Sequence, residues 1–173
     1  GGGTATSALF DAGKIRGTAC LHVGGRLLAT DSQGRVVYGT KPGQMIVDEC
    51  FGAGTDARSL TGAQLVQVTR RMAALIVEVI DGTLSPLAQA LMQTGLLPAG
   101  GTPEIITLSG GVGECYRHQP ADPFCFADIG PLLATALHDH PRLREMNVQF
   151  PAQTVRATVI GAGAHTLSLS GST

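Results

Sequence analysis

The feature that most constrains the fold is a change of spacing. Up to Tyr38 the β-type segments are separated by turns of a few residues, and beyond it by stretches long enough to hold helices. Short turns join antiparallel neighbours, whereas helix-length spacers permit parallel ones. Residues 4–10 read as a strand, Asp11-Ala12-Gly13-Lys14 as a tight turn, and residues 15–23 as the returning strand. After Gly24-Gly25, residues 26–30 and 35–38 flank the turn Asp31-Ser32-Gln33-Gly34 and extend the hairpin into an antiparallel meander. Residues 41–59 carry Pro42, Gly43, Gly52 and Gly54 with little periodicity and read as an irregular connection.

Thr61-Gly62-Ala63-Gln64 has capping-box spacing, and Leu65, Val68, Met72, Leu75, Ile76 and Val79 then recur at three and four residues, which predicts a helix. Ser85-Pro86 opens a shorter helix with Leu87, Ala90 and Leu91 on its apolar face and Gly95 as its stop. Residues 104–108 and 155–160 are β-branched runs, read as buried strands that enter the glycine turns Ser109-Gly110-Gly111 and Gly161-Ala162-Gly163. Between them Asp128 can cap a helix that turns Ile129, Leu132, Leu133, Ala136 and Leu137 inward until Pro141 forbids continuation. A last helix is expected from Ala164. The predicted fold is α/β: one mixed five-stranded sheet, a meander continued by parallel-type strands, with helices on both faces.

Composition narrows the function. The chain has 173 residues, near the size of one domain, with 14% charged residues and a formal net charge of -1. That balance argues against nucleic acid as a partner. The apolar run at residues 72–80 is interrupted by Glu78 and is too short to span a bilayer, and no targeting signal is visible. Cys20, Cys50, Cys115 and Cys125 form no Cys-x-x-Cys pair, so reduced thiols in a cytoplasm are expected. Cys115, His118 and Cys125 lie close in sequence but would lack a fourth zinc ligand.

Three glycine turns remain as candidate chemistry: Gly1-Gly2-Gly3-Thr4, Ser109-Gly110-Gly111-Val112-Gly113-Glu114 and Gly161-Ala162-Gly163-Ala164-His165-Thr166. Glycine lets backbone N–H groups approach an anion, a following hydroxyl adds a hydrogen bond, and a turn that opens a helix adds the positive end of its dipole. The simpler alternative is that each glycine only solves a tight turn. No Gly-x-x-x-x-Gly-Lys-Ser/Thr is present, and Gly161-x-Gly163-x-x-Thr166 lacks the third glycine and the later acidic residue of a dinucleotide fingerprint. Gly-x-Ser-x-Gly and His-Glu-x-x-His are also missing, and His22, His138, His140 and His165 are scattered, read as surface or locally bonded residues.

On these residues the chain resembles a known superfamily. Gly1-Gly2-Gly3-Thr4 looks like the second phosphate motif of the actin, sugar-kinase and DnaK-type ATPases, Ile105-Ile106-Thr107-Leu108-Ser109-Gly110-Gly111-Val112-Gly113-Glu114 is similar to its adenosine motif, and Val159-Ile160-Gly161-Ala162-Gly163 resembles its second connecting motif. Over nearly its full length, and most closely at residues 21–48, 109–128 and 156–171, the chain resembles the ethanolamine ammonia-lyase reactivating factors of ethanolamine-utilising bacteria. The resemblance implies the C-terminal ribonuclease-H-like domain of a two-domain protein. It also implies ATP with Mg²⁺ as ligands, ethanolamine ammonia-lyase as client, and chaperone-like exchange of damaged cobalamin for intact adenosylcobalamin. The location implied is cytoplasmic, open to association with a bacterial microcompartment, and a homo-oligomer is compatible with it. By position, Gly2, Gly3 and Thr4 would contact phosphates, and Gly110, Gly111 and Val112 would line the adenosine. The acidic residue that precedes the first glycines in the superfamily, and its N-terminal domain, are not in this sequence. This chain alone is therefore expected to bind ATP weakly, with half a cleft's contacts, and hydrolysis is expected only of the full-length protein. A small-molecule kinase and an actin-like filament subunit are the alternatives within the superfamily.

Overall fold

The computed structural model describes residues 2–99 and 103–150. They form a mixed α/β structure whose β segments are small and whose core is mainly helical. Strand β1 (Ala5–Asp11) pairs antiparallel with β2 (Lys14–Leu21) around the expected turn, where Ala12 and Gly13 take positive φ. Strand β3 (Leu28–Thr30) pairs antiparallel with β4 (Val36–Gly39) around the second expected turn. There the Asp31 carboxylate accepts from the backbone N–H groups of Gln33 and Arg35, each at 2.9 Å.

The two hairpins do not merge into a meander. The edge of β2 that would take β3 is used by the segment after the third helix: Leu91 carbonyl accepts from His22 N–H, and Cys20 carbonyl from Gln93 N–H, both at 2.8 Å. The chain then folds into a 3-10 turn, Gly25–Leu27, instead of running straight on as a strand from residue 26. The sheet prediction is corrected accordingly. The described strands make three separate two-stranded sheets and not one continuous sheet. The third pairs β5 (Ile105–Thr107) in parallel with β6 (Asn147–Gln149), a strand the sequence reading missed. Strand β5 is also less buried than expected, with Ile105 exposed. The expected strand at residues 155–160, the turn Gly161-Ala162-Gly163 and the helix from Ala164 lie outside the described residues.

The expected irregular connection at residues 41–59 is also corrected, because α1 (Lys41–Phe51) occupies most of it. Pro42 and Gly43 look like breakers, but Pro42 sits in the first turn, where a missing N–H costs nothing. Thr40 caps the helix by accepting from Gly43 N–H at 3.1 Å. Gly43 is a packing glycine: a Cβ there would stand 2.6 Å from the Leu27 carbonyl oxygen.

Helix α2 (Gly62–Asp81) is the spine. Its capping box forms as expected, with Thr61 N–H donating to Gln64 Oε1 at 2.9 Å and Gln64 N–H to Thr61 Oγ1 at 3.3 Å. Its periodic face buries Leu65, Val68, Met72, Leu75 and Val79, and full burial of a Leu or Met side chain contributes about 2 kcal/mol. Helix α3 (Pro86–Leu91) ends at Met92 rather than at Gly95 and buries Ala88 and Leu91. The polar tie among these helices is Arg71, which donates to Glu49 of α1 at 2.5 Å, to Glu78 at 2.6 Å and to the Ser85 hydroxyl at 2.9 Å. Helix α5 (Gly130–Asp139) packs on α2 and on α4 (Gly110–Arg117). Pro141 ends α5 as expected and opens α6 (Pro141–Arg144), which Arg142 pins to Asp81 of α2 at 3.1 Å.

Candidate functional site

The two described glycine turns are built differently. In the first, Gly2 carbonyl accepts from Arg26 N–H at 2.7 Å. A Cβ on Gly24 would collide with the Gly2 carbonyl oxygen and lie 2.9 Å from both the Gly2 carbonyl carbon and Thr4 N. Two backbones are therefore in contact here, and the half-buried Gly2 and Thr4 are held against the 3-10 turn. Gly3 differs, because the space beside it is open. Of the three residues expected at phosphates, Gly3 is the one whose missing Cβ leaves room for a ligand.

In the second turn each glycine answers a different need. Gly110 has φ +80°, a conformation that L side chains rarely adopt. Gly113 packs: a Cβ there would stand 3.0 Å from the Leu108 carbonyl carbon. Gly111 has neither constraint, is exposed, and faces open space. The positive φ of this turn is therefore at Gly110 and not at Gly111. The turn that sequence reasoning placed here is in fact the first turn of α4, and Ser109 precedes it without a side-chain cap. The first amides of α4 therefore point outward with the positive end of the helix dipole. Val112 is half-buried, with its side chain packed against the edge of the core.

Helix α5 relates the two turns. Gly25 carbonyl accepts from Ile129 N–H at 3.2 Å, and a Cβ on Gly25 would stand 2.6 Å from Gly130 Cα. Asp128 fixes this start of α5 by accepting from Gly130 N–H at 2.8 Å, and its second oxygen lies 3.8 Å from Arg26 Nε. The same α5 carries α4 on its flank. Sequence reasoning missed Gly24, Gly25, Arg26 and Gly130; the only signal was the unexplained pair Gly24-Gly25 and the Asp128-Ile129-Gly130-Pro131 start.

The remaining reactive residues are engaged locally. His22 meets the Gln93 side chain, His138 lies 3.1 Å from the Asp139 carboxylate, and His140 accepts from Arg142 N–H at 3.3 Å; His165 is outside the described residues. Burial pushes the Cys50 and Cys115 thiols up, which disfavours the thiolate. At the far end of α4 the Tyr116 ring lies 5.3 Å from His138 and 5.6 Å from Phe150. Burial also pushes the Tyr116 phenol up. Among the described residues no group of three or more His, Cys, Asp or Glu side chains could hold a metal ion, and no helix is long and apolar enough to cross a membrane.

Comparison with known proteins gives the family. The chain is 94% identical over 173 residues to the ethanolamine ammonia-lyase reactivase EutA of Escherichia coli (strain K12), and 83% identical over 173 residues to that of Salmonella typhimurium. All of this chain is aligned in both cases, and it spans 37% of the length of each relative. No solved structure matches it. The family model described as ethanolamine utilisation protein EutA matches residues 1–173, and the chain belongs to that family.

Proposed function

We propose that this chain is the nucleotide-binding C-terminal domain of a reactivating factor for ethanolamine ammonia-lyase, built on the ribonuclease-H-like plan of the actin-like ATPases. The observation that carries the reading is the 94% identity to a named reactivase across every residue of the chain. The structure supports the nucleotide part through two positions, Gly3 and Gly111, that have no neighbour for a Cβ and stand at turns related through α5. These positions fit a ligand that must come close to backbone. Gly3 and Thr4 would hold phosphates. Gly110, Gly111 and Val112 would line the adenosine, with the α4 amides orienting it. Among the described residues no group of three or more His, Cys, Asp or Glu side chains could hold Mg²⁺ by itself, so the ion would be held by the phosphate oxygens of ATP and water with one or two carboxylates of the full-length protein.

In this reading ATP, when bound, supplies the differential contacts that favour one closure state, and that bias is transmitted to the client so that damaged cobalamin leaves and intact adenosylcobalamin enters. The cytoplasm is the compartment of this activity, within reach of a bacterial microcompartment. The test is recovery of ethanolamine ammonia-lyase inactivated with a cobalamin lacking the adenosyl group, incubated with the full-length protein, adenosylcobalamin and either ATP or no nucleotide. Recovery only with ATP is the expected result. Equal recovery without nucleotide would remove ATP from the function, and no recovery in either arm would remove the client.

A further inference from the structure

The first glycine turn stands beside a cation that the sequence reading left unassigned. Arg26 lies in the 3-10 turn Gly25–Leu27, and its backbone N–H is tied to the Gly2 carbonyl at 2.7 Å. Its stem crosses Gly2, with Arg26 Cβ 2.8 Å from where a Gly2 Cβ would be. Gly2 is thus a glycine that admits an arginine stem, and the stem is anchored against the turn that opens at Gly3.

The guanidinium beyond that stem is weakly committed. The Arg26 side chain is 77% exposed, and its ion pair with Asp128 is long, at 3.8 Å. The Asp128 carboxylate is 13% exposed and already accepts from Gly130 N–H at 2.8 Å. An ion pair of that length, with its arginine in solvent, holds the arginine loosely. A guanidinium has five N–H donors in a planar fork, and the fork matches the oxygens of a phosphate. Anchored stem, loosely held fork and open glycine occur together at one turn.

We propose that Arg26 is a phosphate-binding residue of this turn, exchanging the Asp128 carboxylate for the phosphate chain of a nucleoside di- or triphosphate. The proposal rests on the nucleotide reading above and adds to it a residue and a direction of charge. Asp128 then acts as a competitor that holds Arg26 in place when no phosphate is present. Arg26 binds only the charged part of the ligand, so its contribution vanishes for a nucleoside without phosphates.

The experiment is calorimetric titration of the full-length protein with ATP, ADP and adenosine, in the wild type and in Arg26→Gln, Arg26→Lys and Asp128→Asn, with melting temperatures on the same samples. Arg26→Gln should weaken ATP and ADP by about tenfold, the size of one lost charge-assisted contact, and leave adenosine unchanged. Arg26→Lys retains charge without the fork and should lie between. Asp128→Asn keeps an acceptor for Gly130 N–H, removes the competing charge, and should tighten ATP by roughly threefold. Equal weakening of ATP and adenosine would make Arg26 a structural residue and overturn the proposal, as would unchanged ATP affinity in a folded Arg26→Gln protein. Should Arg26→Gln not fold, Arg26→Lys binding ATP as tightly as wild type, with no gain in Asp128→Asn, overturns it equally. Wild-type protein that binds adenosine but not ATP more tightly would sink Arg26 alone, whereas binding of neither would sink the nucleotide reading together with it.

Discussion

Gly24-Gly25 and Gly110-Gly111 are the same dipeptide used for opposite reasons. At the first pair both would-be Cβ positions are filled by backbone: Gly24 faces the Gly2 carbonyl and Thr4 N, and Gly25 faces Gly130 Cα and N. Neither has positive φ, so the glycines there solve a space problem and not a dihedral one. At the second pair both would-be Cβ positions are empty, and Gly110 alone needs its residue type for its backbone, at φ +80°. The contrast teaches that a glycine at a crossing of chains reports on the fold, whereas an exposed glycine that meets nothing and is not strained is free to serve a ligand.

The largest expected effect lies at the filled pair. Gly25→Ala should place its methyl within contact of the α5 backbone and cost about 3 kcal/mol in stability, since an overfilled site yields only by moving main chain. Chemical denaturation reads it, and a loss below about 1 kcal/mol would show the crossing to be loose.

The part-buried polar tie between the helices sets the next size. Arg71→Met should cost about 2 kcal/mol by stranding Glu49 and Glu78, with its Arg71 side chain 22% exposed in the wild type. Burial pushes the Glu78 carboxyl up, but the hydrogen bonds from Arg71 and Ser85 outweigh it and leave Glu78 below its ordinary value. A lowered folded value means that its stabilisation is complete above the unfolded value of about 4.3 and is lost as pH falls through the folded value. Glu78→Gln should accordingly flatten the acid side of the stability profile below about pH 5, and an unchanged acid limb would remove Glu78 from that role.

The open pair should respond least in stability and most in binding. Gly110→Ala should cost about 1 kcal/mol, the strain of a methyl at left-handed φ. Gly111→Ala should change stability by no more than about 0.5 kcal/mol, because its methyl meets solvent in the first turn of a helix. Gly111→Val should nonetheless weaken ATP by about tenfold in the full-length protein at a nearly unchanged melting temperature. A large drop in melting temperature with unchanged affinity would reverse the comparison and make Gly111 another packing glycine.

Local chemistry was legible wherever neighbours in sequence were the partners. The Thr61-Gln64 capping box, the Ser85-Pro86 start, both hairpin turns and the Pro141 stop are contacts within a few residues, and all form as read. The same rule explains the failures. Pro42 and Gly43 read as breakers because only the packing of Gly43 on Leu27 shows why a helix keeps a glycine there. The two hairpins read as one meander because nothing in residues 15–38 announces that Leu91 and Gln93 will occupy the free edge of β2.

For the candidate site the division is the same. By itself the sequence determined that Gly2, Gly3, Gly110 and Gly111 stand at the ends of β-type segments, and, through similarity across its whole length, the family to which the chain belongs. Only the tertiary structure decided which of those glycines are occupied by the fold and which are open. It also brought Arg26 and Asp128 to the first turn across a sequence gap that no pattern spans. The physical reason is that the space around a Cα is filled by residues distant in the chain, so a missing side chain acquires its meaning only once those residues have arrived.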